Sequence, residues 1–151
     1  MQQEFKATVQ KIGNRVGIVL PFDPDQIWGA SARHDVHGVI NQQHIRGKLE
    51  VMEPAGYMLS LGPAWRRDSG IGVGHEVTVV LAPEGPGLHN MAEDIVKALQ
   101  GASDALAFFN SLPTFYRKNY MRWIDSAKRP ETRANRIAEM VELLQAGKRE
   151  K

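Results

Sequence analysis

Pro83-Glu84-Gly85-Pro86-Gly87 divides the chain. These five residues break helices and ladders alike, and they separate apolar patterns of period two from apolar patterns of helical spacing. On the N-terminal side, residues 4–10 put Phe5, Ala7 and Val9 on one face and polar or charged residues on the other, as a half-buried strand requires. Residues 16–20 form a second strand that stops at Pro21, which has no amide hydrogen to give to a ladder. Asp23 before Pro24, with Gly29 closing, predicts one helical turn. Residues 36–40 and 45–51 are two strands joined through Asn41-Gln42-Gln43-His44, a connection of hairpin length. Residues 57–61 and 75–81 add two more strands, with a short helix over Pro63–Ser69 between them. Six strands at this spacing predict a small closed or sandwiched β structure, because closure removes exposed edges.

On the C-terminal side four helices are predicted. The first covers residues 91–100, with Ile95, Val96 and Leu99 on one side, and the second covers 103–110 with Ser103 as its cap. The third covers 113–128, with Tyr116, Tyr120, Trp123, Ile124 and Ala127 on one stripe. The fourth opens at Pro130, buries Ile137, Met140, Val141 and Leu144, and stops at Gly147. The reading is α+β: a small β domain over residues 1–85 and a four-helix module over 88–151.

The absence of cysteine excludes disulfides and thiolate ligands and fits a reducing compartment, so the expected location is cytoplasmic. Residues 1–11 alternate charged and apolar side chains and lack the apolar run of a secretory signal. No apolar stretch approaches the roughly 20 residues that cross a bilayer. The net charge of +2 is unevenly spread, with 8 Lys/Arg against 9 Asp/Glu over residues 1–87 and 11 against 8 over 88–151.

Specific chemistry is sparse. His34, His37 and His44 raise the question of a metal site, but residues three apart on a strand face opposite ways, and the expectation is no metal and no cofactor. Gly70-Ile71-Gly72-Val73-Gly74 has neither the spacing nor the following helix of a nucleotide loop. No serine sits in a nucleophile elbow, so no catalytic residue is assigned. The densest signal is the helical corner over residues 123–136. There Lys128, Thr132, Arg133 and Arg136 lie beside Tyr116, Tyr120 and Trp123, and the first amides of the fourth helix can receive an anion. The alternative reading pairs Arg133 and Arg136 with Asp125 or Glu131, since a guanidinium favours bidentate partners of either kind.

Trp123-Ile124, Ala127-Lys128, Thr132-Arg133 and Arg136-Ile137, with Ile95, Leu99, Phe109 and Leu112 upstream, resemble the helical module of the bacteriocin-protection family called YdeI or OmpD-associated. The first 85 residues are similar to domain-of-unknown-function family 1905 through Pro21, Gly29, the run from Val36 to Asn41, Arg46, Arg66-Arg67, Gly74 and Val77. They depart from it at Gln42-Gln43, where the hairpin often carries glycine, and at His75, where an acid is usual. The resemblance implies a six-stranded double-split β-barrel, distantly like AbrB-type DNA-binding domains, followed by the helical module. It also implies a bacterial stress or envelope-defence role without a mechanism.

Three readings of function follow. The first is a non-enzymatic protein that binds an anionic ligand, peptide or protein partner, with Arg46, Arg66, Tyr116, Tyr120, Trp123, Lys128, Thr132, Arg133 and Arg136 as ligand-binding candidates, acting as a monomer or homodimer. The second is a DNA-binding regulator, against which the modest net charge counts. The third is a small hydrolase or transferase with Arg46 and Arg66 facing inward into a pocket.

Overall fold

The computed structural model describes residues 2–151. Its strands are β1 (Gln3–Thr8), β2 (Gln10–Ile12), β3 (Arg15–Val19), β4 (Asp35–Ile40), β5 (Gln43–Lys48), β6 (Glu50–Met52), β7 (Gly56–Ser60) and β8 (Glu76–Pro83). The helices are α1 (Pro24–Trp28), α2 (Pro63–Ser69), α3 (Glu93–Gln100), α4 (Ser103–Ser111), α5 (Thr114–Asp125) and α6 (Pro130–Gln145). The chain is α+β and falls into two units. One comprises the residues through Ala30 together with His34–Glu84, and the other comprises Ser31–Arg33 with Gly85–Lys151.

The first unit holds two antiparallel four-stranded sheets, ordered β1-β8-β4-β5 and β2-β3-β7-β6. The expectation of six strands is corrected to eight, and the reason lies at two buried residues. Val9, 1% exposed, falls between β1 and β2, and Leu49, 5% exposed, falls between β5 and β6. Each turns an apolar side chain into the core and bends its strand from one sheet to the other. The backbone stays satisfied at both bends. The Val9 amide donates to the His75 carbonyl (2.9 Å), the Val9 carbonyl accepts from the Gly74 amide (2.8 Å), and the Leu49 amide donates to the His34 carbonyl (2.9 Å). Among the described residues the ladders form these two sheets and no closed ring of pairings. Ile18, Val36, Ile40, Leu59, Val79 and Leu81 fill the space between the sheets.

The β4–β5 connection is shorter than expected. Only Asn41 and Gln42 lie outside the strands, both at positive φ (48° and 72°), so that Ile40 pairs with Gln43, Val39 with His44 and His37 with Arg46. Two consecutive positive φ values match the right-handed twist of the flanking strands, the property that selects this turn in two-residue hairpins. Asn41 is locked further, its amide donating to the Thr78 carbonyl (2.9 Å) and its Oδ1 accepting from the Thr78 amide (2.8 Å).

In the second unit, Tyr120, Phe109, Ile95, Leu99, Ile124 and Met140 are each 1% exposed or less and form the centre of the helices. Several helix ends differ from expectation, α3 starting at Glu93 rather than at residue 91. Ala102, not Ser103, occupies the cap of α4, and Ser103 is already helical. Helix α5 ends at Asp125 rather than Lys128, where Ser126 turns its hydroxyl back to the Trp123 carbonyl (2.8 Å) and Pro130 follows to open α6. The expected Asp23 cap is present, its Oδ1 accepting from the Asp25 amide at 2.9 Å. Among the described residues no helix is long and apolar enough to cross a membrane.

The hairpin gives two stability predictions. Gln42→Gly removes the side chain that resists positive φ and should raise unfolding free energy by roughly 1 kcal/mol in urea denaturation. Gly38→Ala would set its Cβ against the Val80 carbonyl oxygen, with the Val80 carbonyl carbon also close, and should cost about 2 kcal/mol or more. Gly62→Ala, a site with open space, is the control that should change little.

Candidate functional site

The helical corner is built on arginines that spend their donors within the module. Arg133 Nε and Nη2 donate to Asp94 Oδ2 and Oδ1 (2.7 and 3.0 Å), and Nη1 donates to Asp125 Oδ1 (2.8 Å). One guanidinium thus ties the first turn of α3 and the last turn of α5 to the start of α6. Its hydrogen bonds hold the Asp94 carboxyl below the usual range, and the two carboxylates raise Arg133 in turn. Arg136 Nη1 donates to the Trp123 carbonyl (2.8 Å) and to Ser126 Oγ (2.9 Å), and its guanidinium stands 5.7 Å from the Trp123 ring centre. It adds a second donor to the Trp123 carbonyl, which the Ser126 hydroxyl also reaches at the end of α5.

The remaining corner candidates divide by burial. Tyr120 is core, its hydroxyl donating to the Lys148 carbonyl (2.6 Å), and burial raises that hydroxyl's pKa. Tyr116 and Trp123 are half-buried, under Arg149 and Lys151 respectively at 5.0 Å. The Trp123 indole N–H is buried with no hydrogen-bond partner. Thr132 is half-buried and Lys128 exposed.

Arg46 and Arg66 lie in the first unit. Both were expected to face inward, and Arg46 does the opposite: its side chain is 73% exposed on the outer face of its sheet, where Nε and Nη2 grip the Glu84 carboxylate (2.9 and 2.6 Å). That carboxylate raises the Arg46 pKa through hydrogen bonding and charge. Arg66 is half-buried and donates from Nε to the Leu61 carbonyl (3.0 Å), closing the turn between β7 and α2. Beside Arg46 lies a cavity of about 460 Å³ lined by His37, Gly38, His44, Ile45, Arg46, Ser60, Gly62 and Trp65. That volume lies within the range of ligand pockets. The Trp65 indole N–H donates to the His44 carbonyl (2.8 Å), setting the ring along one wall. Two imidazoles, a guanidinium, a hydroxyl and an indole face give the cavity donors and positive charge with one apolar side, a combination suited to a carboxylate on an apolar frame.

Residues 5–81 match the family model described as Domain of unknown function (DUF1905), and residues 90–147 match the model described as Bacteriocin-protection, YdeI or OmpD-Associated. The first match spans half of the chain. The chain belongs to the DUF1905 family. It carries the YdeI/OmpD-associated module behind the DUF1905 domain, the arrangement that the sequence resemblance implied. Curated proteins hold no match to it.

Three groupings escaped the sequence reading. In the DUF1905 domain, the buried His34 places Nε2 2.6 Å from Asp25 Oδ1, while the Tyr57 hydroxyl donates to Asp25 Oδ2 (3.3 Å) and stacks edge-on with the imidazole. Burial first, then the Asp25 charge, raises the Tyr57 pKa. His37, by contrast, is exposed, and no metal-holding group of three or more His, Cys, Asp or Glu occurs among the described residues. In the YdeI/OmpD-associated module, Arg117 is 7% exposed and donates to the carbonyls of Leu112 (3.0 Å) and Pro86 (2.7 Å) and to Thr114 Oγ1 (3.3 Å), anchoring the breaker segment to the start of α5. The third grouping is the cavity. It was hidden by the assumed four-residue connection, which left His44 outside β5; a two-residue turn places His37, His44 and Arg46 on one face by alternation alone.

The Asp94 pKa is depressed in the folded state, so the stability it contributes is present above its unfolded pKa and is lost as pH falls through the folded value. Arg133→Gln should therefore move the Asp94 carboxyl back up toward 3.8 in a ¹³C NMR titration and flatten the acid limb of the stability profile. An Asp94 titration unchanged in the variant would refute the clamp.

Proposed function

We propose that this protein is a non-enzymatic binding protein of the bacterial stress or envelope-defence type, whose DUF1905 domain takes a carboxylate-bearing ligand in the His37–His44–Arg46–Trp65 cavity. The observation that carries the reading is the cavity itself: about 460 Å³, lined by the His37 and His44 imidazoles, the exposed Arg46 guanidinium, the Ser60 hydroxyl and the Trp65 indole. Arg46 is held by Glu84 in a fixed orientation while most of its side chain stays exposed, which pre-organises it for a second carboxylate. In this reading β1–β2 and β5–β6 are each one strand bent at Val9 and Leu49, so that the eight ladder segments make up a split six-stranded barrel. The domains are residues 1–85 and 88–151, and the protein works in the cytoplasm as a monomer or homodimer. The helical corner then plays a supporting part. Arg133 and Arg136 are committed inside the module, leaving Lys118, Arg122, Lys128 and Arg129 as its exposed cations, which weakens the DNA-binding alternative.

The test is tryptophan fluorescence of the full chain titrated with glutarate, inorganic phosphate and a short acidic peptide. Saturable binding of at least one carboxylate ligand is expected, and Arg46→Gln should weaken it at least fivefold while the circular dichroism spectrum stays that of the folded chain, with some loss of melting temperature because the Glu84 carboxylate, only 14% exposed, loses this partner. If no anion binds saturably, or if Arg46→Gln binds as the native chain does, the reading fails.

A further inference from the structure

β5 is the last strand of its sheet, and its hairpin decides which of its backbone groups are in use. In a two-residue hairpin the pair flanking the turn is hydrogen-bonded and the pattern alternates from there. Ile40/Gln43, Gly38/Ile45 and Val36/Gly47 are therefore bonded pairs. The flanking bonds fit this parity: the Leu49 amide reaches the His34 carbonyl on the β5 side of β4, while Asn41 and Asp35 bond Thr78 and Glu84 on the β8 side. His44, Arg46 and Lys48 consequently turn their amides and carbonyls away from β4.

Among the described residues β5 has no strand partner on that side. The β6–β7 ladder runs through Glu50–Met58 and ends there, so β5 and the β7–α2 segment diverge, and the cavity lies in the gap, with Ser60, Gly62 and Trp65 facing His44, Ile45 and Arg46. Trp65 Nε1 takes the His44 carbonyl. Among the described residues no group beyond the sheet engages the backbone of Arg46 or Lys48. The side chains on this edge are exposed and basic: His44, Arg46 and Lys48 along β5, with His37 opposite Arg46.

We propose, resting on the carboxylate-binding reading above, that the ligand is an extended acidic peptide segment of a partner protein, which adds to β5 as an antiparallel strand through the gap. Backbone pairing to Arg46 and Lys48 supplies the affinity, and carboxylates at alternate positions meet His44, Arg46 and Lys48 across the new ladder. The intervening side chains point toward Ile45 and Trp65 and are apolar or small. A segment matching His44–Lys48 is about five residues long, or roughly 17 Å. Charge disfavours a second copy of this chain as the occupant: an antiparallel β5–β5 pair centred on Arg46 would set one guanidinium against the other. Cationic side chains on an exposed edge discourage self-pairing in this way and leave the edge open to an acidic strand.

The experiment uses the full chain and a fluorescein-labelled peptide alternating valine and glutamate, with two N-methylated versions. In antiparallel addition the residues opposite His44, Arg46 and Lys48 are the glutamates, and their amides point at β5, whereas the valine amides point away. The expected result is that the parent and the valine-methylated peptide bind alike and the glutamate-methylated peptide binds at least tenfold more weakly. Equal binding of all three would overturn strand addition while leaving anion capture intact. Binding of glutarate with no binding of any peptide would overturn the peptide assignment alone. Binding of none of these probes would overturn both this proposal and the reading on which it rests.

Discussion

Two residues at positive φ, Asn41 and Gln42, set the register on which the first unit depends. Side chains alternate along a strand, so lengthening the turn by one residue would carry His44 and Arg46 to the core face and Ile45 to the solvent face. The register places Gly38 where β4 and β8 approach too closely for a Cβ, and it places Arg46 within reach of Glu84. Turn, close strand approach and surface ion pair are mutually consistent, and the side chain of Asn41 reinforces all three by bonding the Thr78 backbone. Gln42, a non-glycine residue at φ 72°, is the residue least suited to its place.

The second unit depends on arginines in a different way. Arg117, Arg133 and Arg136 each sit where chain segments converge, and each satisfies backbone or carboxylate acceptors that helix ends leave unpaired. Planar guanidinium groups suit this work because several donors leave one centre in fixed directions. A lysine at position 133 would bring the charge without the fork and could not hold Asp94 through two parallel bonds while also reaching Asp125.

Much of the architecture was legible in the sequence because it rests on period and punctuation. The breaker segment at 83–87, the alternation in 4–10, the Asp23 cap and Pro130 at the start of α6 are local signals that survive folding. What could not be read depends on contacts remote in sequence. Nothing near Val9 or Leu49 announces a bend, since both are ordinary apolar residues inside runs that continue past them, and only packing between sheets makes them corners. The short turn was missed because Gln42 is an unusual residue for positive φ, where glycine or asparagine is the expected sign. The candidate site suffered for the same reason. Arg133 and Arg136 stood out by charge density, but the Arg133 partner Asp94 lies 39 residues away, and charge density does not distinguish a guanidinium held by its own chain from one awaiting a ligand.

The bends at Val9 and Leu49 bear on how the first unit comes apart. A strand that serves as the edge of both sheets cannot leave one without loosening the other, and such strands stand at both margins of the pair. The two bends therefore couple the sheets, so that opening one strains the edge strands of the other. The exception is the outer edge of β5, where among the described residues no strand is paired and only the Trp65 indole reaches the backbone, so that edge is not part of this coupling.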